Sequence, residues 1–404
     1  MSNRLLLITY AFAPLSAPEA ILNSKLPDLL PDYEIDVVTI DHESLKLSLD
    51  ASLGAMVEGK FGAVHRVKPA FWCTPFVFKF LRYFCVFPDR YTVFNGNVVK
   101  KALALGLNNY DVIMTWSQWH SIHLVGLALK TENPDSFWVA HLSDPWSCNP
   151  FLPKYKIFRS LQKFFEKKTF AKADQLHFTS EETRKMSVRD YSCSVSAKAF
   201  TIPHAFKKRF LQPKNHKHDS DKIKIRYMGN FYGARNPITL IKIFQQLMRQ
   251  DKQILKDVQI EFFGSWLGVQ KPSNHVEKQF QDQIFFREPV DYKQSLQLMS
   301  DAEILLIIDA PSAESMFFPS KLVDYMSAER PIVAITPDGT AERIIRSIGG
   351  FVISPNSEQS VESGFMEAIV KYRKGKLFPP DKHKIGKYET EYVSKLYTEV
   401  LHSK

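Results

Sequence analysis

The sequence predicts an α/β fold built as two domains, and three observations predict it. Short apolar runs of strand length alternate with helical patterns along the whole chain, the pattern of a parallel sheet wrapped by helices. At 404 residues the chain exceeds one average core and suggests two domains of about 200 residues each. The alternation breaks once, in the polar, aperiodic segment Gln212-Pro-Lys-Asn-His-Lys-His-Asp-Ser-Asp221, and then restarts. The expected organisation is a first domain over 1–203, a linker over 204–222, a second domain over 223–383, and a closing segment, 384–404, whose helix packs back on the first domain.

In chain order, the first domain's strands are expected at Arg4–Tyr10, Ile35–Ile40, Ala63–Val67, Asp111–Thr115, Phe137–Leu142, Gln175–Thr179 and Lys198–Ile202. Leu5 to Pro14 behind Arg4 has the look of a signal-peptide core, but the strands recurring after it favour a first buried strand. A helix is expected over Tyr155–Ala171, with Ile157, Phe158, Leu161, Phe164 and Phe165 on one face. Thr179-Ser180-Glu181-Glu182 reads as a strand end followed by a helix N-cap. After the linker, strands are expected at Ile223–Met228, Val258–Phe263, Ile284–Phe286, Ala302–Ile308, Pro331–Ile335 and Gly350–Ile353, and the last helix over Lys384–His402. His216, His218, Asp219 and Asp221 sit in the flexible linker and read as solvated residues rather than metal ligands.

An apolar fraction of 45% is that of an ordinary folded protein. Cys73, Cys85, Cys148 and Cys193 have neither metal-ligand spacing nor the density of a disulfide scaffold, so a reducing cytoplasm is the expected setting. No apolar run reaches the roughly 18 to 20 residues that span a bilayer. Phe76 to Phe87 comes nearest, and Lys79 and Arg82 interrupt it.

The net charge of +10 is localised. Residues 60–101 carry eight Lys/Arg against one acid, Asp89, and residues 151–172 carry seven against one, Glu166. Both segments are aromatic: Phe71, Trp72, Phe76, Phe78, Phe80, Tyr83, Phe84 and Phe87 in one, Phe151, Tyr155, Phe158, Phe164, Phe165 and Phe170 in the other. Basic side chains interleaved with aromatics suit an anionic membrane surface, here through residues 69–91 and 154–172. No nucleic-acid motif accompanies them, so no nucleic-acid partner is expected. The plainer alternative is two amphipathic helices with solvated basic faces.

Two strand-loop-helix units carry the chemistry of the second domain. In Phe318-Pro-Ser-Lys-Leu-Val-Asp-Tyr-Met-Ser-Ala-Glu-Arg-Pro-Ile-Val-Ala-Ile335, Pro319 and Ser320 suit the first turn of a helix that ends before Arg330-Pro331. Free N–H groups there, with Lys321 beside them, make an anion site. One turn further, Asp324 offers a carboxylate for two sugar hydroxyls, and together these describe a nucleotide-diphosphate site or, equally on spacing alone, an ordinary strand-loop-helix-strand unit. The second unit, Ile225-Arg-Tyr-Met-Gly-Asn-Phe-Tyr-Gly-Ala-Arg-Asn-Pro237, has Gly229 for close backbone approach and Arg235 to fork onto a diphosphate. In the first domain, Asp144 ends a buried strand in Trp138-Val-Ala-His-Leu-Ser-Asp-Pro-Trp146. It reads as a base toward an acceptor hydroxyl or a sugar ligand, and equally as an Asp-Pro turn capping the next helix. His141 alternates inward and reads as a core histidine.

These residues resemble the two-domain GT-B glycosyltransferases, particularly the retaining family-four group of bacterial surface-polysaccharide enzymes. The resemblance covers nearly the whole chain: Thr9-Tyr-Ala-Phe-Ala-Pro14, Asp144-Pro-Trp146, Ile202-Pro-His-Ala-Phe206, Gly229-Asn-Phe-Tyr232 with Arg235, and Pro319-Ser-Lys321 through Asp324-Tyr325. It implies two Rossmann-like domains facing each other across a cleft. A nucleotide-diphosphate sugar, UDP-sugar ahead of GDP-sugar, is held by the second, and a glycan or lipid-linked saccharide acceptor by the first.

The donor residues it implies are Gly229, Asn230, Arg235, Pro319, Ser320, Lys321, Leu322 and Asp324; the acceptor-side residues are Ser16, Asp144 and Trp146. Arg235 and Lys321 stabilise the leaving diphosphate, with Asp144 the third catalytic residue, and Asp324 binds the ribose. No metal or other cofactor is implied. Transfer retains configuration through an oxocarbenium-like state without a protein nucleophile. The implied setting is lipopolysaccharide or capsule synthesis on the inner face of the cytoplasmic membrane. A sugar-nucleotide epimerase or a non-catalytic binding protein on the same fold are the alternatives.

The sequence departs from the family in four places. The family's paired glutamates stand eight apart, but eight before Asp324 is Met316, and the nearest acid is Glu314. Asp324 is one methylene shorter than the usual Glu. Leu15-Ser-Ala-Pro18 replaces a Gly-Gly, and Asn236 stands where Lys is common.

Overall fold

In a computed structural model, which describes residues 3–81, 87–152, 155–208, 222–250 and 252–403, every one of the expected apolar runs forms a parallel strand. The contacts divide the chain into two units, Met1–Ala205 with Thr390–Lys404, and Phe206–Glu389. The expected linker tract Gln212–Asp221, with His216, His218, Asp219 and Asp221, lies outside the described residues, as do Arg82, Tyr83, Phe84, Cys85 and Lys154.

The first unit contains β1 (Asn3–Thr9), β2 (Tyr33–Ile40), β3 (Val64–Val67), β4 (Val112–Ser117), β5 (Trp138–Leu142), β6 (Gln175–Phe178) and β7 (Ala199–Thr201). They form one parallel sheet in the order β3-β2-β1-β4-β5-β6-β7. β1, β4 and β5 are buried on both faces, as parallel strands covered by helices must be, which is why they read as unbroken apolar runs. The order reverses between β1 and β4, and a doubly wound sheet opens its ligand crevice at such a reversal, beyond the carboxyl ends of the strands.

The second unit contains β8 (Ile223–Met228), β9 (Phe231–Tyr232), β10 (Val258–Phe263), β11 (Trp266–Leu267), β12 (Ile284–Arg287), β13 (Ile304–Ile308), β14 (Ile332–Ile335) and β15 (Phe351–Ile353). Six of them make a parallel sheet in the order β12-β10-β8-β13-β14-β15, and β9 pairs with β11 just beyond it. The reversal here lies between β8 and β13. The fold class is thus two doubly wound α/β units.

Three expectations need correction. The closing helix does not run unbroken from Lys384: a short helix at Lys382–Ile385, capped by Asp381, gives way to a 3₁₀ turn at Gly386–Tyr388 before the helix Thr390–His402 begins. Tyr388 is buried there with its ring against Phe318, which anchors the break. The final helix belongs to the first unit, where Gln175 Nε2 donates to the Val400 carbonyl (2.6 Å) and the Tyr397 hydroxyl meets His141 Nδ1 (3.3 Å).

The helix expected over Tyr155–Ala171 runs over Lys156–Lys172, and it buries only part of its apolar stripe. Gln162, Glu166, Thr169 and Phe170 face inward, while Ile157, Leu161 and Phe164 are exposed. Its polar side chains are held by real partners. Gln162 accepts from Trp146 Nε1 (2.5 Å) and donates to the Pro88 carbonyl (2.9 Å), and Glu166 accepts from Ser147 N, Ser147 Oγ and the Tyr191 hydroxyl. Lastly, the helix after β13 starts at Lys321, so Pro319 and Ser320 precede it and Ser320 makes no side-chain cap.

Candidate functional site

In the second unit the β8–β13 ladder ends early, at Ile304 with Ile225 and Leu305 with Arg226. Beyond that point the strands are clipped by Tyr325, whose buried hydroxyl accepts from Met228 N (2.9 Å) and donates to the Leu306 carbonyl (3.1 Å). Gly229 follows at φ 137°, where a Cβ would stand 2.7 Å from Lys321 Nζ. Glycine here is what admits the lysine. Lys321 Nζ lies 3.8 Å from the centroid of the Tyr227 ring, which stacks on Phe231, itself stacked on Trp266.

Lys321 Nζ is buried and makes no hydrogen bond among the described residues. Burial, and then the Arg235 charge, hold its ammonium well below the usual lysine range, with Asp309 acting the other way. A buried cation without a hydrogen-bonded counter-charge costs several kcal/mol relative to one that is paired. The helix behind it spans only Lys321–Ser327, so the lysine, more than a helix dipole, defines the site.

Arg235 is fixed on two sides. Nη2 pairs with Asp309 Oδ1 (2.9 Å) and Nη1 donates to the Tyr232 hydroxyl (3.0 Å). Asp309, just past the carboxyl end of β13, also accepts from Thr336 Oγ1 (2.8 Å) at the end of β14. Asp324 is buried and accepts from the Tyr292 hydroxyl (2.9 Å). Asn230 turns its side chain to the backbone, where Oδ1 accepts from Ser265 N (2.9 Å), and Leu322 is fully buried in the core. Pro319 and Ser320 are half-buried just ahead of Lys321. Met316 is buried, its carbonyl accepting from Thr340 Oγ1 (2.9 Å), whereas Glu314 is exposed on the loop.

In the first unit, Asp144 follows β5, half-buried, and accepts from Gln118 Nε2 (2.7 Å) just past β4. Ser16 is exposed, with its backbone N–H on the Ser48 carbonyl. Trp146 is wholly buried and stacked on His120, so it supports the loop from beneath and reaches no ligand directly. His141 is a core residue, stacked on Trp116 at 3.6 Å, with burial holding its imidazole well below the usual histidine range.

Sequence reasoning missed Glu19. It is buried in the helix Pro18–Asn23 after β1, and Oε2 meets Trp116 Nε1 (3.1 Å) and Ser143 Oγ (2.8 Å). Burial, and then the Asp144 charge, push its carboxyl up to about 8. It also missed Asp309, although an acid directly after an apolar strand is the signal that singled out Asp144. Nothing in the sequence marked Tyr292 as the partner of Asp324.

Comparison with known proteins bears on the fold and on the second unit. Residues 208–389 match the family described as glycosyl transferases group 1. A comparison with curated proteins found no match. Among solved structures, Anabaena HepE in complex with UDP-glucose superposes with a TM-score of 0.69 at 13% identity, covering 99% of this chain and 100% of that one. The sucrose-phosphate synthase of Thermosynechococcus elongatus gives 0.68 at 15% identity, with 100% of each chain covered. The lipopolysaccharide outer core galactosyltransferase WaaB, in its apo form, gives 0.60 at 12% identity, with 99% of each covered. The chain has the architecture of the GT-B glycosyltransferases, and its second unit carries the match to glycosyl transferases group 1.

Proposed function

We propose that the protein transfers a sugar from a nucleotide-diphosphate donor, UDP-sugar ahead of GDP-sugar, to a glycan or lipid-linked saccharide, retaining configuration. The observation that carries the reading is the buried, unpartnered Lys321 ammonium between Gly229 and the Tyr227 ring, with Arg235 contributing its charge nearby. A donor's diphosphate supplies the missing anion. As the glycosidic bond breaks, negative charge grows on that diphosphate, and Lys321 and the preset Arg235 stabilise it. Asp324, steadied by Tyr292, takes the ribose hydroxyls. Asp144 serves the acceptor hydroxyl. Anabaena HepE, which has the same fold, binds UDP-glucose, which supports a UDP-sugar here.

The protein is further proposed to work on the inner face of the cytoplasmic membrane, in bacterial surface-polysaccharide synthesis. Among the described residues no helix is long and apolar enough to cross a bilayer. Phe71, Trp72, Phe76, Phe80, Ile157 and Phe164 are nevertheless exposed among basic side chains. Phe87 packs on Phe158 and Phe165 and so ties the first aromatic segment to the Lys156–Lys172 helix. A helix with its polar side chains bonded inward and its apolar ones outward suits an anionic lipid surface.

Incubation with UDP- and GDP-sugars tests the assignment. The expected outcome is donor binding and acceptor-dependent release of nucleotide diphosphate, whereas neither binding nor hydrolysis with any donor would contradict it. Epimerised donor in the absence of acceptor would favour an epimerase. Tight binding without turnover would favour a binding protein, a reading that Met316 in place of the family's first Glu also suggests.

A further inference from the structure

We infer that Glu19 is a positioning residue of the acceptor side: as a neutral acid it locks Trp116 and Ser143 into the frame that presents Asp144. The inference rests on the acceptor-side reading of Asp144 given above. It joins three segments at the reversal of the first sheet: the helix after β1, the end of β4 and the end of β5.

Counting hydrogens supplies the argument. Ser143 Oγ lies 2.8 Å from Glu19 Oε2 and 2.9 Å from the Ser117 carbonyl oxygen, and it has one hydrogen to give. The Trp116 indole N–H, 3.1 Å from both Glu19 Oε2 and Ser143 Oγ, is already committed to these two oxygens. With Glu19 ionised, one of the serine's two short oxygen contacts holds no hydrogen, and two lone pairs face each other in a buried site. With Glu19 protonated, the acid donates to Ser143, the serine donates to Ser117, and every contact is filled.

The electrostatics agree. Glu19 is buried, and the Asp144 charge bears on it and repels a second carboxylate. Asp144 is half-exposed and accepts from the Gln118 amide. Burial moves the Glu19 carboxyl up to about 8. Above that pH a second negative charge appears beside Asp144 and the Ser143 contact loses its proton, so turnover falls on the alkaline side.

The test compares two variants with the wild-type full chain. Glu19→Gln is a neutral isostere: with its amide nitrogen at the Oε2 position it donates to Ser143, and the Trp116 N–H keeps its contact with Ser143 Oγ; it is expected to keep most of the turnover at pH 7 and to lose the alkaline fall. Glu19→Ala is expected to lose on the order of 10-fold or more at every pH. A Gln variant as impaired as the Ala variant, or one with the wild-type alkaline fall, would overturn the inference. Infrared spectra read the proton independently of activity and need only Glu19→Gln. A protonated-carboxyl band present in wild type at pH 7 and missing in the Gln variant is expected, and its absence from wild type overturns the inference. Asp144→Asn separates the underlying reading: wild-type turnover there would remove Asp144 from the acceptor side while leaving the infrared result for Glu19 intact.

Discussion

Each unit buries an ionisable side chain near its strand ends, Glu19 in the first and Lys321 in the second, and the two are handled in opposite ways. Glu19 is satisfied, with Trp116 and Ser143 on its carboxyl group and its proton filling the last contact. Lys321 is unsatisfied, with an aromatic ring beneath its ammonium and no acceptor within reach. Both are pushed toward neutrality by burial, but only one has a reason to recover its charge. A completed network sets geometry, whereas an incomplete one of like burial is a place for a ligand. In the function proposed above, the donor's anion belongs to the second unit and the preset polar frame to the first.

The largest expected effect comes from emptying the unsatisfied side. Lys321→Ala and Arg235→Ala should each lower turnover by about 10²-fold or more, about 2.7 kcal/mol of transition-state stabilisation. Wild-type rates in steady-state assays of both would remove them from the mechanism. Asp309→Asn should act on the donor's KM more than on stability. It removes the charge that holds Arg235 Nη2 and keeps an acceptor for Thr336, so a rise on the order of 10-fold is expected. An unchanged KM would mean that Arg235 needs no presetting.

A smaller effect probes the outward-facing helix. Replacing Lys163, Lys167 and Lys168 by neutral residues should weaken binding to anionic vesicles by about 1 kcal/mol per charge. Unchanged sedimentation with such vesicles would sink this helix as an anchor. Smallest of all, Tyr397→Phe removes a hydroxyl that meets His141 and should cost about 1 kcal/mol in denaturant unfolding. It should leave donor binding alone; a loss of donor affinity in this variant would break the separation drawn between the two regions.

How much of this was legible follows from what determines each feature. All the longer strands were found to within two residues because strands buried on both faces must be apolar. β9 and β11, two residues each, leave no period to detect. Which face of the Lys156–Lys172 helix packs on the protein was not legible, because an apolar stripe says what it avoids, water, and not what covers it. Lys321, Arg235 and Asp144 were legible as charged residues at strand or helix ends. Trp146 was expected on the acceptor side and is core. Glu19 carried no signal, since its burial is set by Trp116 and Ser143, which are 97 and 124 residues away in the chain.

The central claim is that Lys321 waits for the donor's diphosphate. Without ligand its ammonium is held below the usual lysine range, and a bound diphosphate raises it again. Binding therefore takes up a proton between those two values, and affinity falls as pH rises through that window. Calorimetric titration of the full chain with UDP, in two buffers of different ionisation enthalpy, measures both affinity and proton uptake. The expected result is proton uptake in wild type, with affinity lower by on the order of 10-fold or more and the uptake gone in Lys321→Ala. Equal affinity and equal proton uptake in the two proteins would contradict it.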